Sequence, residues 1–373
     1  MILFQSLFLV FNHYQFNIIY FNNPLGYNPI DAEFYNEIGI KISKLNFEEM
    51  ITFISNNLRI GDFGFPFFLW FAYYDGLDGI LIVKFLNILI HLISSIYVFK
   101  LSKFFFSDYK LQKLTLSFFA INPLVIYYAS SGLKEILFSF FIISGIYYLY
   151  RGNIKNYIIG IILISLTGFF RVYIPFLILL SMGIFIFFKQ KGKIGHLKKV
   201  IIILIFTTIF FGVFSLLKTE LIGKMNTNAD YILEYRLGRK PSIIDRFLLF
   251  VGGLFGPFPS FQYDKGHIAN LLESIGNFIK IYVSGYFSIG IFYVIRNKMV
   301  SYYPIIFIYV FNILLLSILG LSLDPRFSFI FHFIYFTLVI LGYYKTENNF
   351  KLRKYNLVHT ISILLLVVLY NLR

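Results

Sequence analysis

The sequence predicts an all-α, polytopic membrane protein: a bundle of about eleven transmembrane helices with two large outer loops. Three observations carry that expectation. Hydrophobic residues make up 58% of the 373-residue chain and charged residues only 14%, and the mean hydropathy is +0.75, outside the range of a soluble domain. Apolar runs of about 18 residues, enough to cross a hydrocarbon core, recur along the whole length. The net charge of +15 is unevenly distributed, as loop sorting across a membrane requires.

The expected spans, in order, are Ile2–Tyr20, Gly79–Phe99, Leu111–Tyr128, Glu135–Tyr150, Tyr157–Phe170 and Val172–Phe188. Then follow Val200–Leu217, Phe278–Ile295, Tyr302–Leu321, Phe327–Tyr344 and Leu357–Leu372. Met1–Tyr20 lacks a basic leader and a small-residue cleavage site, so it reads as a retained helix. Alternate connections carry Lys100, Lys103, Lys110 and Lys113; Arg151 and Lys155; the lysines between Lys189 and Lys199; Arg296 and Lys298; and Lys345, Lys351, Arg353 and Lys354. Only Asp108 and Glu347 are acidic on that side. The positive-inside rule then puts the N-terminus in the cytoplasm and the C-terminus outside.

The whole chain, 1–373, reads as a single integral membrane domain, with outer loops at 21–78 and 218–277. Short helices lying along the membrane surface are expected in both, for instance in the amphipathic stretch Ile38–Ile54. In the second loop, Ile243–Phe261 is apolar but broken by Gly252-Gly253, Gly256, Pro257 and Pro259, so it is expected to be re-entrant or interfacial. The positive charge follows from topology and argues for no nucleic-acid partner. With no cysteine, disulfides and thiolate chemistry are excluded. The 49 Phe and 29 Tyr are ascribed mostly to nucleotide bias in the gene.

Charged groups near hydrocarbon usually have a partner or a task. The polar stretch Gly26–Gly39 carries Asp31, Glu33 and Glu37. Asp31 fits a helix N-cap, and equally a general base that takes a proton from an acceptor hydroxyl; Glu33 is the second candidate. Lys134 and Glu135 open the fourth span after Ser130-Ser-Gly-Leu. Glu135 suits a helix N-terminus; Lys134 either offsets a lipid phosphate or snorkels to the interface. Arg171 is a lone charge between two apolar stretches, suited to bidentate phosphate binding, with a plain topology signal as the alternative. Arg326 opens the tenth span, with a local contact to Asp324 as the alternative, and Arg239 and Arg246 add positive potential on the second loop or are merely solvated there. The six histidines show no metal-ligand spacing and there is no phosphate-binding Gly-rich motif. An energised donor would therefore arrive lipid-linked.

The order of these features resembles the GT-C class of membrane glycosyltransferases. It is similar, too, to Wzy-type oligosaccharide repeat-unit polymerases of bacterial surface-polysaccharide clusters. The resemblance rests on Asp31 with Tyr35, Gly61-Asp-Phe-Gly-Phe-Pro-Phe67, Asn122-Pro123 before Lys134-Glu135, then Arg171 and Arg326-Phe327. It runs loosely over residues 20–345 and its motifs are short. Two features depart from it: no Asp-Asp or Glu-Asp pair at Asp31, and no paired Arg-x10-Gly motifs in the second loop.

The resemblance implies an inverting transfer from an undecaprenyl-(di)phosphate-linked sugar on the outer face of a bacterial inner membrane, most closely O-antigen or capsule polymerisation. Lys134, Glu135, Arg171, Arg326, Arg246 and Arg239 would line the donor phosphate, and Tyr27, Tyr35 and Trp70 would stack on sugar. No cofactor is implied, although Asp31 and Glu33 could hold a divalent metal. Chain-length regulators and other assembly proteins would be partners. The alternatives are a single-sugar GT-C transferase acting on lipid-linked glycan or lipid A, and a flippase for lipid-linked oligosaccharide.

Overall fold

The computed structural model describes residues 29–58, 60–73, 79–189, 242–256, 268–318, 325–347 and 349–371. Among these the chain is helical throughout, with no strand. The helices are α1 (Pro29–Ile42), α2 (Phe47–Asn57), α3 (Gly64–Tyr73), α4 (Gly79–Ser102), α5 (Tyr109–Ala120), α6 (Pro123–Ala129), α7 (Glu135–Arg151) and α8 (Ile154–Leu166). They continue as α9 (Tyr173–Lys189), α10 (Ile243–Phe255), α11 (Ile268–Tyr282), α12 (Ser284–Arg296), α13 (Tyr303–Ile318), α14 (Pro325–Phe329), α15 (His332–Glu347) and α16 (Phe350–Asn371).

Two stretches among the described residues are long and apolar enough to cross a membrane: α4, and Val300–Ile318, in which a 3-10 turn runs into α13. They become three if the residues from Ser274 in α11 and those of α12, bent by 47° at Val283, form one span. Gly64–Tyr73, Ile154–Phe169 and Tyr173–Gly183 are apolar but shorter. The expected spans Ile2–Tyr20 and Val200–Leu217 lie outside the described residues.

Besides Phe278–Ile295, which bends at Val283, two further expected spans are broken. Leu111–Tyr128 divides into α5 and α6, because Asn122 takes the N-cap position and accepts the Leu124 amide at 2.9 Å. Pro123 follows at the first helical position, where its missing N–H is harmless. Phe327–Tyr344 divides between α14 and α15. The amphipathic stretch Ile38–Ile54 likewise becomes α1 and α2, separated by a capping box in which Asn46 and Glu49 each satisfy the other's amide.

The chain forms two compact units. The first comprises Met1–Lys103, Gln112–Arg171 and Ser260–Gly276; the second comprises Phe104–Leu111, Val172–Pro259 and Asn277–Arg373. In the first, α4 packs on α7, α7 on α8, and α3 on both α1 and α4. Tyr73 ties α3 to α1 by donating its hydroxyl to Asn36 Oδ1 at 2.7 Å. In the second, α12 and α15 make the most extensive pairing, with α9 and α10 on α13. A Cβ on Gly290 would run into the Leu338 carbonyl, and one on Gly342 into that of Tyr286. Here glycine brings two backbones together, as small residues do where helices cross in a membrane.

Candidate functional site

The first unit gathers charge from three separate segments. Ser131 to Lys134 form the turn between α6 and α7, and α4 fixes it. Buried Asn87 donates through Nδ2 to the carbonyls of Ser131 and Leu133, both at 3.0 Å. Lys134 thus sits at the N-cap of α7 with no capping role, while Glu135 opens the helix. A 3-10 turn over Ile60–Asp62 presents Asp62, and a second over Thr167–Phe169 presents Arg171, whose amide donates to the Thr167 carbonyl at 3.0 Å. The two turns are in contact with each other.

The ammonium of Lys134 donates to Asp62 Oδ1 at 2.6 Å, a charge-assisted bond. Asp62 is its outer member, with 42% of the side chain exposed against 12% for Lys134. Arg171 Nη2 lies 4.0 Å from Glu135 Oε1, and both side chains are nearly enclosed, at 11% and 6% exposure. The cations also meet aromatic faces: Lys134 Nζ lies 5.9 Å from the Tyr35 ring centre, and the Arg171 guanidinium carbon 5.5 Å from that of Phe138. Tyr35 is braced edge-on by Phe65 at 4.8 Å, and Phe138 is stacked on Phe170 at 5.4 Å. Two carboxylates, two cations and a rigid aromatic wall therefore share one locus. Among the described residues its formal charge is balanced.

Of the residues expected at the site, the structure brings Tyr35, Lys134, Glu135 and Arg171 together. Trp70 is half-buried in the same unit; its indole N–H donates to the Leu45 carbonyl at 3.3 Å and its ring meets Phe47 and Phe71 edge-on. Asp31 falls in the first turn of α1 and Glu33 at the start of the second, but their side chains lie outside the described residues, as do Tyr27 and Arg239 entirely. Arg246 and Arg326 belong to the second unit. Arg246 donates to the Ile318 carbonyl at 2.8 Å, at the C-terminal end of α13, where a cation suits the helix dipole. Arg326 is half-buried in α14, and Asp324 lies outside the described residues. No group of His, Asp and Glu among the described residues is arranged to hold a metal.

Sequence reasoning missed Asp62. The signal was an acid inside the Gly- and Phe-rich stretch Gly61–Phe67, whose aromatic pattern drew attention away from its carboxylate.

It also missed Lys280. This side chain is 1% exposed in the second unit and donates to the carbonyls of Gly253 at 3.0 Å and Gly256 at 2.6 Å, closing the end of α10. Tyr335 presents its ring to the ammonium at 5.6 Å and donates its hydroxyl to the Lys280 carbonyl at 2.6 Å. On the same helix as Tyr335, His332 is buried, and neither of its ring nitrogens has a hydrogen-bond partner among the described residues.

The chain matches no protein-family model, no curated protein and no solved structure.

Proposed function

We propose that the chain is a membrane glycosyltransferase taking a polyprenyl-(di)phosphate-linked sugar donor at the outer face of a bacterial inner membrane, in the manner of a repeat-unit polymerase. It is read as spanning that membrane up to eleven times, with the N-terminus in the cytoplasm. The observation that carries the reading is the meeting of Asp62, Lys134, Glu135 and Arg171 beside Tyr35 and Phe138. Glycosyl transfer needs a carboxylate for the acceptor proton and cations for the leaving phosphate, and this locus offers both. Tyr35 and Phe138 are buried and wall the cations, so Tyr35 does not present a free face for sugar.

In the reaction the acceptor hydroxyl oxygen attacks the anomeric carbon, with inversion. The bond from that carbon to phosphate oxygen breaks, the hydroxyl proton passes to a carboxylate, and the polyprenyl (di)phosphate departs. Asp62, as the outermost acid of the locus, joins Asp31 as a candidate base. Arg171 and Lys134 would face the leaving group.

The test is a deletion strain analysed for glycan chain length. Glycan stalled at a single repeat unit is the expected result. Loss of one sugar would indicate a single-addition transferase instead, and unchanged glycan would refute both.

A second reading, a transporter of lipid-linked glycan, is favoured by one feature: the bend between α11 and α12 beside buried Lys280. Broken helices with intramembrane charge are typical of such proteins. Accumulation of the lipid intermediate on the inner face in the deletion strain would select it.

A further inference from the structure

The second unit contains an apolar groove of about 570 Å³ between α9, α12 and α13, within the ~300–1,000 Å³ span of ligand-sized pockets. Its wall includes Phe185, Ile295, Val300, Phe307, Phe311 and Leu314. Phe307 and Phe311 stack face to face at 5.2 Å, giving that wall a flat, stiff surface. From Val300 to Leu314 the wall rises about 21 Å at ~1.5 Å per residue. One leaflet of a bilayer core is about 15 Å deep, so the groove is long enough for one acyl chain and too apolar for a sugar.

Its rim has the opposite chemistry. The chain that joins the wall residues Ile295 and Val300 is Arg296-Asn297-Lys298-Met299, and Arg296 to Lys298 are exposed. Lys298 adopts a left-handed conformation, φ 51°, and its amide returns to the Ile295 carbonyl at 3.2 Å. The turn is therefore fixed at the mouth of the groove. Lys345 approaches the same end of α12, lying 4.5 Å from the Tyr293 ring centre. Unlike Lys134 and Arg171, neither Arg296 nor Lys298 has a carboxylate partner among the described residues. The competing account is that these cations only complement the C-terminal dipole of α12. That explains charge at a helix end, but not the groove that opens beside it.

We propose that this groove binds one acyl chain of an anionic phospholipid, with the headgroup held by Arg296 and Lys298, on the face that the charge distribution assigns to the cytoplasm. The inference rests on the chain lying in a membrane and is independent of glycosyl transfer. Basic residues at the cytoplasmic mouth of an interhelical cleft are the chemistry that recognises such headgroups.

The full chain, purified in detergent, would be exposed to equal amounts of phosphatidylglycerol and phosphatidylcholine with matched acyl chains, and bound lipid counted by native mass spectrometry. Preferential retention of phosphatidylglycerol is expected. Arg296→Ala and Lys298→Ala each lower that preference roughly 5-fold, and the exposed control Arg151→Ala leaves it unchanged. Val310→Trp, which fills the groove, lowers retention of both lipids. Equal retention of the two lipids by the unaltered chain, or a preference that survives the double substitution, overturns the proposal. So does displacement of phosphatidylglycerol by an equal amount of undecaprenyl phosphate, which would make the groove part of a donor path.

Discussion

The Asp62–Lys134 pair allows the sharpest test of the candidate site, because its two members predict different outcomes. Replacing Asp62 by Asn keeps shape and removes charge. A hydrogen bond to a charged group is worth about 1.5–3 kcal/mol, and an exposed ion pair about 0.2–1 kcal/mol. With Asp62 42% exposed and Lys134 12%, at 2.6 Å, the pair falls between these limits. A double-mutant cycle of Asp62→Asn and Lys134→Met should therefore give a coupling of about 1–2 kcal/mol in unfolding experiments in micelles. Stability is only half of the test. If Asp62 takes the acceptor proton, Asp62→Asn lowers glycan formation by about 100-fold or more, far beyond what the stability change accounts for, while the protein remains in the membrane. Lys134→Met should lower it less. Coupling below about 0.3 kcal/mol, the level of independent sites, would refute the pairing. Turnover within a few-fold of normal in Asp62→Asn would refute its role as base, and Asp31→Asn in the same assay then decides whether α1 supplies the base instead.

Arg171→Ala should raise the concentration of lipid-linked donor needed for half-maximal rate by about 10-fold, the equivalent of ~1.4 kcal/mol and the lower edge of a charged hydrogen bond. Unchanged donor saturation in a reconstituted assay would count against phosphate binding. Lys280→Met leaves the Gly253 and Gly256 carbonyls buried without their donor; the expected cost is about 2–4 kcal/mol, read as a lower melting temperature in micelles, and no change would mean that the α10 terminus is held by other contacts. A reporter fused after Lys193 should read cytoplasmic and one after Lys240 periplasmic; the reverse would overturn the topology.

The helical class was legible because composition and apolar run length leave few alternatives for backbone hydrogen bonding in lipid. Helix breaks were less so. Leu111–Tyr128 has the hydropathy of a span, yet Asn122-Pro123 supplies a complete start signal, and a local cap overrides a smooth apolar average. The site was half legible. Lys134, Glu135 and Arg171 stand out as single charges in apolar surroundings, so their cost announces them. Their grouping was not legible, since it depends on Asn87 of α4 holding the Ser131–Leu133 turn and on two 3-10 turns meeting. Lys280 escaped notice because its partners are backbone carbonyls, which carry no side-chain signature in sequence.

The balanced charge of the locus changes how a phosphate would be received. Lone cations placed in apolar surroundings cost several kcal/mol each, and a carboxylate beside each one offsets that cost before any substrate arrives. A phosphate then enters by exchange, taking a cation's bond from a carboxylate of the protein. The two pairs are unequal in this respect. Lys134 is bonded to Asp62 at 2.6 Å, whereas Arg171 Nη2 stands 4.0 Å from Glu135 Oε1. On the proposed reading, Arg171, whose planar guanidinium matches two phosphate oxygens, is the stronger phosphate ligand, while Lys134 both faces the leaving group and orients Asp62. On that reading the four charges would divide between two functions, proton transfer at the exposed pair and phosphate binding at the enclosed one. It also makes a specific demand on the mutants: Lys134→Met should act on the maximal rate, and Arg171→Ala on donor saturation.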